Sequence, residues 1–189
     1  MKKMFVTLIS IILVSLFPIS VFASENDTPD YGKYESFSNL YTEYQKAVES
    51  GDTEAQKEML EIAQRTLSEE IEAADDNATV MRADPDYEYY YKLFPTYFSS
   101  GYWEQRADGV CLTLHPISAN RWSSSDKDLA WDSTYARFGY YNGSGYWPSS
   151  ATNILREQFY CHARLIYSSI ETEWNLEPWR QTMNPITCN

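Results

Sequence analysis

The position of the last cysteine most constrains this chain: Cys111, Cys161 and Cys188 are its only three cysteines, and Cys188 lies one residue from the end of a 189-residue sequence. What three cysteines do depends on compartment, and the first residues bear on that. MKKMFVTLISIILVSLFPISVFA has a basic start at Lys2 and Lys3, an apolar run from Met4 to Phe17, and Val21 and Ala23 at the minus-three and minus-one positions of a cut after Ala23. This is the pattern of a secretory signal peptide over residues 1–23. No later segment approaches the roughly 20 apolar residues that span a bilayer, and no cysteine at the cut offers a lipid attachment point. The sequence therefore predicts a secreted product with no stable membrane anchor.

In an oxidising compartment three cysteines give one intramolecular disulfide and one remaining thiol. Loop entropy does not select the pair, since closing 161–188 is worth about 3.6 kcal/mol and closing 111–161 about 4.1 kcal/mol. Local design does select it. Cys188 ends a tail broken by Pro178 and Pro185 that has little else to hold it, so a Cys161–Cys188 bond is expected, leaving Cys111 as a buried or half-buried thiol on a strand.

Charge divides the chain. Without Lys2 and Lys3 it carries 13 basic against 27 acidic side chains, a formal charge of −14. Residues 24–100 hold 18 acidic and 6 basic side chains, residues 101–189 hold 9 and 7, and all six tryptophans fall in the second group. Such a field repels a phosphate backbone, and no basic patch interrupts it, so nucleic acid is not an expected partner. The fold class expected is α+β: an N-terminal helical hairpin followed by a small mixed α/β domain containing the disulfide. The divisions are a signal peptide at 1–23, a disordered leader at 24–35, an acidic helical region with an aromatic crossover at 36–100, and a cysteine-containing domain at 101–189.

Periodicity supports that division. Phe37, Leu40, Tyr41, Tyr44 and Val48 recur at helical spacing, Gly51 stops the run, and Asp52 or Thr53 can cap a second helix carrying Met59, Ile62, Ala63, Leu67 and Ile71 to about Ala74. Pro85 and Pro95 argue against one continuous helix through the tyrosine-rich crossover. Residues 102–106 and 110–115 read as a hairpin with Asp108 and Gly109 between them; period two puts Val110, Leu112 and Leu114 on one face and Cys111, Thr113 and His115 on the other. A helix capped near Ser125 or Asp126 runs toward Gly139. Asn142 and Gly143 mark a turn, another helix starts near Asn153, and the tail reads as irregular structure with a short terminal strand.

QFYCHARL, residues 158–165, sets His162 beside Cys161. An oxidised Cys161 is no nucleophile, and adjacent helical side chains diverge by about 100°, so the pair is not a catalytic dyad. A general base at His162 requires a carboxylate from the following loop, Glu177 or Glu173, with Arg164 or Arg180 for an anionic group. The candidate catalytic set is His162, Glu177 and Arg180. The candidate ligand-binding set is Tyr146, Trp147, Trp174 and Trp179, because aromatic rings with polar tips suit a wet binding surface. No spacing indicates a metal or a cofactor.

QFYCH at 158–162, WNLEPWR at 174–180 and the terminal CN resemble the signature of an uncharacterised domain family of small secreted bacterial proteins, over roughly residues 101–189. Its most recognisable positions fall on Gln158, Cys161, His162, Trp174, Asn175, Leu176, Glu177, Trp179, Arg180 and Cys188. The resemblance implies no defined activity. Export, aromatic loops and the lack of a complete catalytic motif favour a secreted binding or interaction module at the cell envelope or outside the cell, with an extracellular protein, peptide or glycan as partner. The alternative is a small secreted hydrolase or antibacterial toxin using His162 with Glu177 and Arg180; a third reading makes residues 36–76 a helical adaptor or inhibitor.

Overall fold

The structure, a computed structural model, describes residues 29–81, 86–141, 145–165 and 172–188, without the side chains of residues 75–81, 120 and 165. The expected signal peptide, the start of the expected leader and the expected turn at Asn142 and Gly143 lie outside the described residues.

The helical hairpin forms where the periodicity places it. Helix α1, Phe37–Ser50, is capped by Ser36, whose hydroxyl accepts from the Asn39 amide, and Gly51 closes it in the left-handed region at φ 72°. Helix α2, Thr53–Met81, runs past the expected end at Ala74. Its cap is Asp52, whose carboxylate accepts from the Ala55 amide at 3.0 Å, while Gln56 donates to the Ala47 carbonyl at 3.0 Å and so ties the two helices across their turn. The polar leader is shorter than the sequence suggested, because Tyr31 and Tyr34 are buried in the core.

Helix α3, Tyr87–Tyr97, corrects the reading of the crossover: Asp86 caps it after Pro85, and Pro95 sits inside it. Pro95 removes one intrahelical amide donor, and the helix ends two residues later. The chain then passes without a loop into β1, Phe98–Gln105, which pairs antiparallel with β2, Val110–Pro116. Helix α4, Ser124–Thr134, is capped two to three residues earlier than expected, by Ser123 in a reciprocal capping box with Asp126. It continues as a π-helical stretch, Tyr135–Tyr141, so that Gly139 lies inside a helix rather than at its end. Helix α5, Thr152–Leu165, leads to β3, Trp174–Leu176, which joins the far edge of β2 to give the order β1-β2-β3. This is the short strand expected in the tail; among the described residues after it, 185–187 form a turn.

Helix α5 is the hub. From Gln158 to Arg164 every residue is buried, as required of a helix enclosed on all sides, and it meets α1, α2, α4 and β3. Elements far from it in sequence, α1 and α2, supply part of that cover. One core cluster runs from Phe37, Leu40 and Leu67 in the hairpin through Leu112, Leu114 and Phe159 to Ile186 in the tail. The acidic and aromatic regions are thus not separate packing units. Cys161 and Cys188 are disulfide-bonded and Cys111 is a buried free thiol. The tail turn they hold is built on Asn184, whose side-chain oxygen accepts from the Ile186 and Thr187 amides at 2.9 and 3.1 Å and whose amide donates to the Tyr44 hydroxyl at 3.1 Å.

Candidate functional site

Strand register sorts the sheet into two faces. Trp103, Leu112 and Leu176 form one row and Gly101, Leu114 and Trp174 the next, both on the core side. Gly101 is where the helical layer approaches closest: a Cβ there would meet Leu114, Phe138 and Phe94 side chains at 2.9 Å. The alternate residues form the outer face, with Tyr102, Thr113 and Asn175 in one row and Glu104 and Cys111 in another.

The outer face is an organised polar surface. The Asn175 side-chain oxygen accepts from Arg106 Nη2 at 2.8 Å and from the Thr113 hydroxyl at 3.2 Å, and the Cys111 thiol lies 3.6 Å away. Arg106 Nε donates to Glu104 at 3.0 Å, and its Nη2 reaches Glu173 at 3.4 Å. At one end the Tyr102 and His115 rings lie 6.1 Å apart. At the other, Trp179 covers the hairpin turn, and only a glycine fits beneath it, since a Cβ on Gly109 would fall 2.5 Å from the indole. Thr113 and Cys111 are therefore buried under the polar layer, not by a helix, while Tyr102 and Trp179 stay 46% and 42% exposed. Burial, only partly offset by Arg106, pushes the Cys111 thiol up to about 11. At neutral pH it is a protonated thiol and a poor nucleophile.

The expected catalytic residues fall elsewhere. His162 is 4% exposed. Its ring stacks on Trp174, 5.9 Å between centroids and 11° between planes, on the core side of β3. One helical turn earlier, Gln158 clamps the backbone of Glu177: its side-chain oxygen accepts from the Glu177 amide at 2.7 Å and its amide donates to the Glu177 carbonyl at 3.2 Å. The Glu177 carboxylate pairs with Arg180 Nε, and the Arg180 guanidinium lies 5.0 Å from the Trp179 ring. These contacts brace the loop after β3. Gln158 and His162 on one helix face do meet WNLEPWR, through backbone clamping and ring stacking.

The expected aromatic set also divides. Trp174 is fully buried and packs edge to face on Phe98, Trp122 and Phe159 as part of the core. Trp147 is half-buried, lies 5.7 Å from Trp131, and donates its indole N–H to Thr152 at 3.1 Å. Beside it a cleft of about 160 Å³ is lined by Tyr87, Tyr90, Trp131, Tyr135, Asn153 and Arg156. Tyr146 is exposed and lies 5.7 Å from Trp103. Of the four, Trp179 alone borders the outer face of the sheet. Arg106 was not anticipated, because its acceptor on β3, Asn175, lies 69 residues away and no local spacing signals it; nothing local marked Tyr102 either. Among the described residues no group of three His, Cys, Asp or Glu side chains could hold a metal ion, and no helix is long and apolar enough to cross a membrane.

No curated protein and no solved structure matches the chain. A family model described as "Protein of unknown function (DUF2599)" matches residues 98–188, beginning at the first residue of β1 and ending on the disulfide cysteine of the tail.

Proposed function

We infer that the chain is an exported binding module, acting at the cell envelope or outside the cell, that takes a glycan on the outer face of its sheet. The observation that carries this reading is the outer face itself: a floor of Asn175 and Arg106, held from beneath by the buried Thr113 hydroxyl and flanked by exposed Tyr102 and Trp179. Sugar hydroxyls need fixed donors and acceptors, and sugar C–H faces need aromatic rings, and the two kinds of group lie side by side here. The floor is preorganised because Arg106 Nε and Nη2, Asn175 Oδ1 and the Thr113 hydroxyl are already held by their neighbours, so little side-chain freedom is lost on binding. The signal-peptide pattern over residues 1–23 supports export. The hydrolase reading draws less support: His162 is buried against Trp174, and Glu177 is committed to Arg180.

Retention of the full exported chain on peptidoglycan sacculi, chitin and cellulose tests this proposal. Trp179→Ala and Tyr102→Ala should each reduce retention at least tenfold with unchanged thermal melting, because both side chains are largely exposed. Absence of retention on all three matrices, or equal retention of the variants, would overturn it.

A further inference from the structure

A second place where rings and polar groups meet lies among the helices. A cleft of about 160 Å³, to which no strand contributes, is walled by four rings: Tyr87 and Tyr90 of α3, Trp131 of α4, and Tyr135 at the start of the π-helical stretch. Drug-sized ligands occupy roughly 300–1,000 Å³, so this space suits one small ring.

The walls are braced by rings that do not themselves line the cleft. Tyr140 stacks on Tyr87, 3.9 Å between centroids and 20° between planes. Trp147 lies 5.5 Å from Tyr135 and 5.7 Å from Trp131, with its indole N–H fixed by Thr152. The π-helical stretch supplies both Tyr135 and Tyr140, and its glycine leaves them room: a Cβ on Gly139 would fall 2.7 Å from the Tyr135 ring and 3.3 Å from the Trp147 indole. A glycine inside a helix is unfavourable on its own account, and π-helical turns are rare and occur frequently at functional sites. Here both serve to set the ring walls.

Charge narrows the choice of ligand. The lining carries one carboxylate, Asp132, and one guanidinium, Arg156, which with Asn153 and the tyrosine hydroxyls offer donors and acceptors in a set of no net charge. A cation drawn to Asp132 is repelled by Arg156, and an anion meets the reverse. Hydroxyl groups both donate and accept, so they satisfy either kind of partner. Tyr87, Tyr90, Asp132 and Arg156 each have a partner within the protein, so the lining is set before a ligand arrives.

We propose that this cleft takes one neutral hexose unit, its C–H faces against the tyrosine and tryptophan rings and its hydroxyls toward Asp132, Asn153 and Arg156. The site shares no residue with the outer face of the sheet, so either can fail without the other.

Ligand-observed NMR titration of the full exported chain with N-acetylglucosamine against glucosamine, and glucose against glucuronate, tests this, since each pair contrasts a neutral with a charged sugar. At least one neutral sugar should bind, and about tenfold more tightly than its charged counterpart, whose charge would be partly desolvated without a net opposite charge in the lining. Tyr90→Ala and Asn153→Ala, at half-buried and exposed positions, should each weaken that binding about threefold or more with unchanged thermal melting. Trp179→Ala should leave it unchanged. No binding of either neutral sugar, equal or tighter binding of the charged forms, full binding by Tyr90→Ala and Asn153→Ala, or a loss in Trp179→Ala as large as that in Tyr90→Ala would overturn the proposal.

Discussion

The two faces of the three-stranded sheet are built from alternate residues of the same strands, yet they are buried by different means. On the inner face Leu112, Leu114, Trp174 and Leu176 are completely buried under α5 and its neighbours. On the outer face Thr113 is just as inaccessible, but what covers it is a layer of side chains: Arg106, Asn175 and their partners. The inner face is held by area removed from water and close packing, the outer by hydrogen bonds that need every partner in place. Equal burial therefore does not mean equal tolerance. One face responds to lost volume, the other to a lost acceptor.

The largest effect is expected inside. Leu114→Ala removes a fully buried side chain and should cost about 2–5 kcal/mol, the spread reflecting how far the cavity collapses. Urea unfolding of the oxidised protein measures it. A loss below about 1 kcal/mol would mean that the inner face is not a close-packed core. On the outer face Asn175→Ala deprives Arg106 and Thr113 of their shared acceptor. The expected loss is about 1–3 kcal/mol, the range for a buried polar group left unsatisfied. Asn175→Asp, which keeps an acceptor and places a charge beside Arg106, should recover most of it. Were Asn175→Ala neutral and Asn175→Asp no better, the hydrogen-bonded layer would be covering the strand without stabilising it.

The two faces were unequally legible in the sequence. Period two in β2 separated Leu112 and Leu114 from Cys111 and Thr113 from local spacing alone, and the hairpin and disulfide followed from equally local cues at Gly51, Asp108 and the proline-rich tail. Three things were not local. The pairing of β2 with β3 sets Asn175 beside Thr113 across 62 residues, and nothing in either segment encodes that register. The enclosure of α5 depends on α1 and α2 arriving from more than 80 residues away, so its seemingly polar residues Gln158, His162 and Arg164 became interior ones. Trp174 reads as a binding aromatic by composition and is core because β3 adds to the inner face. The candidate catalytic residues share this cause: His162 and Glu177 are neighbours of the same strand, but their side chains serve packing on one hand and a local ion pair on the other.

The smallest effect at neutral pH, and the sharpest comparison, lies in Cys111, the buried thiol of the outer floor. Cys111 titrates at about 11 against an ordinary value of 9.0, chiefly because burial penalises the thiolate. For a group that loses a proton to become charged, a raised folded value means that the native state holds the proton more tightly than the unfolded chain. Its contribution to stability is complete below pH 9 and declines as pH rises from 9 toward 11. Over that window the wild type should lose stability with a slope approaching one proton, and Cys111→Ala should remove that component while leaving the profile at pH 6–8 unchanged in shape. The same burial should make the thiol inert to a disulfide reagent at pH 8 until denaturant is added. A thiolate absorbance rising near pH 8.5 in the native protein, with rapid labelling at pH 8, would show that the Arg106–Asn175 layer is open to water, and that the outer face is a fluctuating surface instead of a covered floor.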